Sequence, residues 1–153
     1  MMLENLPVPD FEVPATGAKT FKLSAHRGSL LVIYFYPKDD TPGCTTEGAQ
    51  FRDLHPEFRK LGCEIFGVSR DTIASHEKFK AKMGFTFDLL SDGDEAVCNM
   101  FGVMKMKNMY GKQVRALERS TFAIDREGRI AREWRGVKVP GHAAEVLDFA
   151  RSL

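Results

Sequence analysis

No stretch of this chain stays apolar for the ~18 residues that a membrane-spanning helix needs. Residues 1–9 carry neither a basic patch nor an apolar core, so no secretory signal is read there. Charge of one sign is missing too: 22 basic residues face 21 acidic ones, for a formal net charge of +1. Without a lysine–arginine block there is no electrostatic footprint for nucleic acid. Cysteine is scarce and odd in number, three in 153 residues. That excludes a disulfide framework and fits a reducing compartment, the cytoplasm. No CxxC pair occurs, which argues against a dithiol oxidoreductase. Cys44, Cys63 and Cys98, with His26, His55, His76 and His142, lack zinc-ligand spacing, and no metal site is read from them. Repeats, low-complexity runs and linkers are also missing. One domain over residues 1–153 is the expectation.

What is present centres on Leu30 to Lys60. Leu30 to Tyr36 is a run of seven apolar residues rich in aromatic and β-branched types. Such a run suits a central strand covered on both faces. Pro37 ends it, since proline cannot donate to a sheet ladder. Lys38, Asp39 and Asp40 form a loop. Thr41-Pro42 reads as a helix start, threonine at the N-cap and proline at the first helical position. Phe51, Leu54, Phe58 and Leu61 then recur as the stripe of an amphipathic helix. Pro56 falls within that stripe and is expected to kink the helix or split it in two.

Cys44 occupies the third position of this helix. Its sulfur is expected near unpaired N–H groups and the positive end of the helix dipole, which favour thiolate. A free thiol with a pKa of ~8.5 is only about 3% ionised at pH 7. Making thiolate the majority form takes roughly 2.7 kcal/mol, and a helix terminus supplies ~2 kcal/mol at best. A second cation is therefore expected beside Cys44. The alternative is a buried, inert thiol. The loop-to-helix placement beside polar residues argues for reactivity.

Along the rest of the chain, Leu6 to Pro14 reads as an extended entry, and the first 25 residues as a β-hairpin. Gly62 suits a helix C-cap, and Glu64 to Ser69 a strand parallel to the first. Ser75 is read as the cap of a helix that Gly84 ends. Phe87 to Leu90 is a third strand, followed by a short helix with Val97, Met100 and Phe101 on one face. Val103 to Gln113 shows no clear period, and Met104, Met106 and Met109 are read as core filler. A strand ending at Asp125, a turn, a return strand over residues 129–135 and a helix from Ala143 to Leu153 complete the chain. Parallel units followed by an antiparallel hairpin give an α/β fold, a mixed central sheet flanked by helices.

The segment YFYPKDDTPGCTTE resembles the active-site segment of the peroxiredoxins, in particular the bacterioferritin comigratory protein (PrxQ) subfamily. The pattern of proline, three residues, threonine, two residues and cysteine is met by Pro37, Thr41 and Cys44. The similarity runs from PVPDFEVP to the terminal helix. It implies a thioredoxin-like fold with an N-terminal β-hairpin extension, and a thiol-dependent peroxidase with Cys44 as peroxidatic residue. Pro37 is then expected to shield the thiolate, and Thr41 to offer its hydroxyl to the peroxide. Arg119, in ERSTFAID, matches the family's arginine and would be the second cation. Glu47 matches the glutamate that holds it. Without the resemblance, Arg119 and Glu47 read as surface charges.

Many subfamily members carry a resolving cysteine five residues after the first, where this chain has Ala49. Others place it in the following helix, yet Ser75 to Met83 contains none. An internal disulfide could use only Cys63 or Cys98, and both read as packing residues. A one-cysteine cycle is therefore expected. Hydrogen peroxide or an organic hydroperoxide oxidises Cys44 to sulfenic acid. Thioredoxin, glutaredoxin or a small thiol such as glutathione then restores it. No cofactor is required, and the resemblance implies a monomer. The competing reading is a non-enzymatic redox sensor or thiol-dependent chaperone that uses the same oxidation.

Overall fold

The computed structural model describes residues 2–153. Its centre is β3 (Leu30–Phe35), the apolar run seen in the sequence, with all six residues buried. Helix α1 (Pro42–Lys60) leads from β3 to β4 (Cys63–Ser69), and α2 (Ile73–Met83) leads on to β5 (Asp88–Ser91). These three strands are parallel, in register from Leu30↔Cys63 to Phe35↔Val68 and from Phe66↔Asp88 to Ser69↔Ser91. The N-terminal hairpin, β1 (Glu12–Ala15) and β2 (Lys19–Lys22), is more than an extension: Ala15 pairs with Leu90, so the hairpin continues the main sheet.

Beyond the short α3 (Ala96–Met100) comes a second hairpin, β6 (Met104–Met109) and β7 (Lys112–Leu117), where the sequence offered no period. Its two-residue turn, Tyr110-Gly111, has positive φ at both positions, as a type I′ turn requires. Met106 and Met109 are exposed, which corrects their reading as core filler. This ribbon is open to solvent on both faces, so its residues need not alternate. Only its base packs into the core, through Met104 and its strand partner Leu117. Strands β8 (Ser120–Ile124) and β9 (Ile130–Arg135) close the sheet, β8 antiparallel to β3 and β9 antiparallel to β8, and α4 (His142–Ala150) follows. The seven-stranded order is β2-β1-β5-β4-β3-β8-β9.

The alternation of β3 divides two cores. Leu31, Ile33 and Phe35 face Cys98, Phe101 and Phe122. Leu30, Val32 and Tyr34 face Phe51 and Phe58 of α1 and Val146 and Leu147 of α4. Pro56 does not split α1, which runs unbroken over 19 residues. Buried Phe51, His55 and Phe58 on either side of it hold the helix to the sheet, so packing outweighs the ~3 kcal/mol that an interior proline costs. The α1 helix ends with Gly62 at φ +70°, the left-handed turn that glycine adopts freely. Thr72, not Ser75, caps α2: its Oγ1 accepts from the Ser75 N–H at 3.2 Å. Both hydroxyl residues suit a cap, and that of Ser75 is engaged elsewhere. Among the described residues, no helix is long and apolar enough to cross a membrane.

Candidate active site

The site forms where β3 ends and α1 begins. Pro42 is the first residue of α1, which makes Cys44 the third, as its spacing from Thr41 implies. The Thr45 N–H donates to the Thr41 carbonyl at 2.8 Å, the first bond of the helix. The Thr41 hydroxyl does not cap the helix. It donates to the Lys38 carbonyl at 2.8 Å, across the preceding loop. The N–H groups of the first turn are thus left for other acceptors.

Arg119 arrives from the far side of the sequence. Ser120 of β8 is registered with Phe35, the last residue of β3. Arg119, one residue earlier, therefore lies beside the β3–α1 junction. Its Nη2 donates to Cys44 Sγ at 3.5 Å, and its Nη1 to Glu47 Oε1 at 2.6 Å. One planar guanidinium serves both partners, which a lysine ammonium cannot do with the same geometry. Cys44 and Glu47, three residues apart, share one face of α1. Neither is a surface residue: Cys44 is 2% exposed and Glu47 0%.

Burial pushes the Glu47 carboxyl up to about 7, against the pull of Arg119. Burial alone would lower Arg119, but the charges of Glu47 and Cys44 outweigh it and hold the guanidinium firmly protonated. Behind the site, Tyr34 stacks on Phe51 at 4.6 Å, and burial followed by the charge of Glu47 drives its phenol well above the ordinary value. To one side, His142 accepts or donates at Nε2 with Thr121 Oγ1 at 2.7 Å. Burial lowers its pKa to about 4, so the ring is neutral at pH 7.

Sequence reasoning passed over Gly43. An ideal Cβ there would stand 3.0 Å from Nη2 of Arg119. Any larger residue would press on the arm that reaches Cys44. The signal was available, because glycine inside a helix costs about 1 kcal/mol relative to alanine and needs a reason.

The other two thiols lie away from this centre. Cys63 pairs with Leu30 at the opposite end of β3, about 17 Å along the strand from Phe35. Cys98 packs in the core on the other face of the sheet from Cys44. A disulfide needs Cα atoms within ~7 Å. Burial raises the Cys63 thiol to about 12, and burial with the adjacent Asp92 carboxylate drives Cys98 higher still. Both are poor nucleophiles where they stand. Asp39, Asp71 and His76 are the one group among the described residues that could offer a metal three ligands. Their ligand atoms are already engaged with each other and with Ser69 and Ser75.

A thiol at a helix N-terminus beside a fixed guanidinium is equipped for nucleophilic attack on an electron-poor oxygen. The family model for AhpC/TSA matches residues 5–133. The chain belongs to the AhpC/TSA family. It is 58% identical over 145 residues to Peroxiredoxin Bcp of Xanthomonas campestris, covering 94% of this chain and 91% of that one. To Peroxiredoxin Bcp of Bacillus subtilis it is 47% identical, covering 95% and 92%. A solved structure of the Xanthomonas campestris bacterioferritin comigratory protein, from work on its alkyl peroxide reduction activity, superposes with a TM-score of 0.90. The identity is 55%, covering 93% of this chain and 90% of that one. The fold is thus the thioredoxin-like fold of the peroxiredoxins, and this family member is a thiol-dependent peroxidase. Its general chemistry joins a peroxide substrate with a thiol reductant.

Proposed function

We propose that Cys44 is the peroxidatic thiol of a one-cysteine cycle, acting on hydrogen peroxide and alkyl hydroperoxides. The Cys44 thiolate attacks one peroxide oxygen. The S–O bond forms as the O–O bond breaks, giving Cys44 sulfenic acid and a hydroxide or alkoxide that takes up a proton. Arg119 stabilises the thiolate and the charge that develops on the departing oxygen. Glu47 aims Arg119. Thr41 offers its hydroxyl to the peroxide, and Pro37, half-buried at the end of β3, shields the sulfur from bulk water. An external thiol then attacks the sulfenic sulfur, releasing water and leaving a mixed disulfide, and a second thiol restores Cys44. Thioredoxin, glutaredoxin and glutathione are the reductant classes that fit. Cys98 and Cys63 serve packing. The 153 residues act as one domain, a monomer in the cytoplasm that needs no cofactor.

The observation that carries this reading is the Arg119 fork between Cys44 and Glu47. The test is intact mass after one equivalent of hydrogen peroxide, with a sulfenic-acid trap, for wild type and Cys98→Ser. A trapped adduct on Cys44 in both proteins is the expected result. Loss of two hydrogens in wild type alone would make Cys98 the resolving thiol. An unmodified Cys44 after seconds would overturn the peroxidatic assignment. Turnover with a thiol reductant separates an enzyme from a sensor.

A further inference from the structure

The loop between β3 and α1 holds a second charged centre. Asp39 is 7% exposed and His76, in α2, 0%. Asp39 Oδ2 lies 2.7 Å from His76 Nδ1. The other ring nitrogen, Nε2, lies 2.9 Å from the Leu90 carbonyl of β5. A carbonyl can only accept, so Nε2 carries a hydrogen. A neutral imidazole then has none left for Asp39. The complete set of bonds needs a further proton between Nδ1 and Oδ2, and that shared proton ties the two side chains together.

The same carboxylate collects other donors. The Tyr36 hydroxyl gives to Oδ1 at 2.6 Å and the Ser75 hydroxyl to Oδ2 at 2.7 Å. The Asp39 N–H donates to Asp71 Oδ2 at 2.9 Å, and that oxygen also accepts from Ser69 Oγ at 2.6 Å. Burial acts to raise the Asp39 carboxyl, but the hydrogen bonds from His76 and Tyr36 outweigh it and hold it below the ordinary range.

Burying polar side chains is costly unless every bond is made, and apolar residues of similar volume often fold as well. The position of this pair indicates what it serves. Asp39 lies midway between Pro37 and Thr41. The Thr41 hydroxyl bonds the carbonyl of Lys38, the residue just before Asp39. Asp40, just after it, sits at φ +57°, a conformation seldom adopted by residues with a side chain. The loop is tied at its midpoint to the end of β3, to the β4–α2 connection, to α2 and, through His76, to β5.

We infer that Asp39 and His76 are positioning residues for the peroxidase reaction: their buried hydrogen-bonded contact fixes the Pro37–Thr41 loop so that Thr41 stands correctly beside Cys44. This inference rests on the peroxidatic reading of Cys44 and Thr41. It predicts a specific selectivity. Peroxide uses Thr41 and a fixed loop, whereas alkylation by iodoacetamide needs only the thiolate.

The experiment measures both rate constants at Cys44, together with thermal unfolding, for wild type, Asp39→Ala, His76→Ala, Tyr36→Phe and Asp39→Asn. Asp39→Ala and His76→Ala should slow reaction with hydrogen peroxide about 10- to 100-fold, the scale expected for a reacting group misplaced by ~1 Å. Their iodoacetamide rates should stay within about twofold of wild type. Asp39→Asn should recover most of the peroxide rate, because its amide can donate to a neutral Nδ1 while its oxygen still accepts from Tyr36. Tyr36→Phe removes one bond only and should fall between. It keeps the comparison informative if the alanine variants do not fold. Peroxide rates within twofold of wild type in the folded variants would overturn the inference, and so would equal losses in both reactions. A wild type that alkylates but is inert to peroxide would overturn the reading of Cys44, and this inference with it.

Discussion

Nη2 of Arg119 lies 3.5 Å from Sγ of Cys44, across 75 positions of sequence. The register of β8 on β3 delivers it, and Glu47 holds the other arm at 2.6 Å. The contact sets a guanidinium against the sulfur at the first turn of α1.

Arg119→Lys tests the fork as distinct from the charge. A lysine keeps one positive charge but cannot span Glu47 and Cys44 together. The second-order rate constant with hydrogen peroxide, by stopped flow, should fall about 10- to 100-fold. Arg119→Met, which removes the charge as well, should cost on the order of 10²–10³, the usual effect of deleting one preorganised donor. Equal rates for Arg119→Lys and wild type would show that the bidentate geometry is irrelevant.

Gly43→Ala asks whether the space below the guanidinium matters. Alanine favours a helix by about 1 kcal/mol over glycine. Its methyl would nevertheless stand 3.0 Å from Nη2 of Arg119. The expected outcome is a protein at least as stable in urea with a peroxide rate lowered about tenfold, as a displaced donor requires. A faster or unchanged enzyme would show that Arg119 shifts without loss.

Much of this arrangement was legible before any coordinates. The apolar run of β3, the Thr41-Pro42 start and the Phe51–Phe58 stripe gave the strand, loop and helix that carry Cys44. Local pattern could not bring Arg119 to Cys44, because periodicity speaks of nearby residues and this contact depends on strand register. Only the family resemblance suggested it. The β6–β7 ribbon was unreadable for a different reason: both faces are wet, so nothing forced its residues to alternate. Asp39 looked like an ordinary loop charge, since its burial depends on His76, 37 positions later.

The pH dependence of stability should reveal two buried groups of opposite sign. Glu47, raised from 4.5 to about 7, binds its proton more tightly when folded. Its contribution is complete below pH 4.5 and is lost as pH rises towards 7. His142, lowered from 6.5 to about 4, is held neutral. Its contribution is complete above pH 6.5 and is lost as pH falls towards 4. Each spans on the order of 3 kcal/mol, and between pH 4.5 and 6.5 they oppose each other. Urea unfolding across this window should show stability rising with pH more steeply in Glu47→Gln than in wild type. In His142→Gln it should rise less steeply, or fall. His55, also lowered by burial, adds the same slope to all three proteins. Asp39 and Asp88, both held below 3.8, act at lower pH. Parallel curves for the three proteins would refute the assignment.

The separation of the cysteines sets the fate of Cys44 under excess peroxide. Cys98 packs on the far face of the sheet and Cys63 at the far end of β3, so in this fold neither thiol is placed to trap a sulfenic acid at Cys44. A sulfenic acid that no thiol intercepts is oxidised further, to sulfinic acid. With excess hydrogen peroxide and no reductant, intact mass should show the gain of two oxygen atoms at Cys44. The rate should be the same in wild type, Cys63→Ser and Cys98→Ser. Millimolar glutathione should suppress the gain in all three, because the external thiol then competes for the sulfenic sulfur. If wild type instead resists over-oxidation and either serine variant does not, that cysteine reaches Cys44 in solution, and the local structure must open to let it do so.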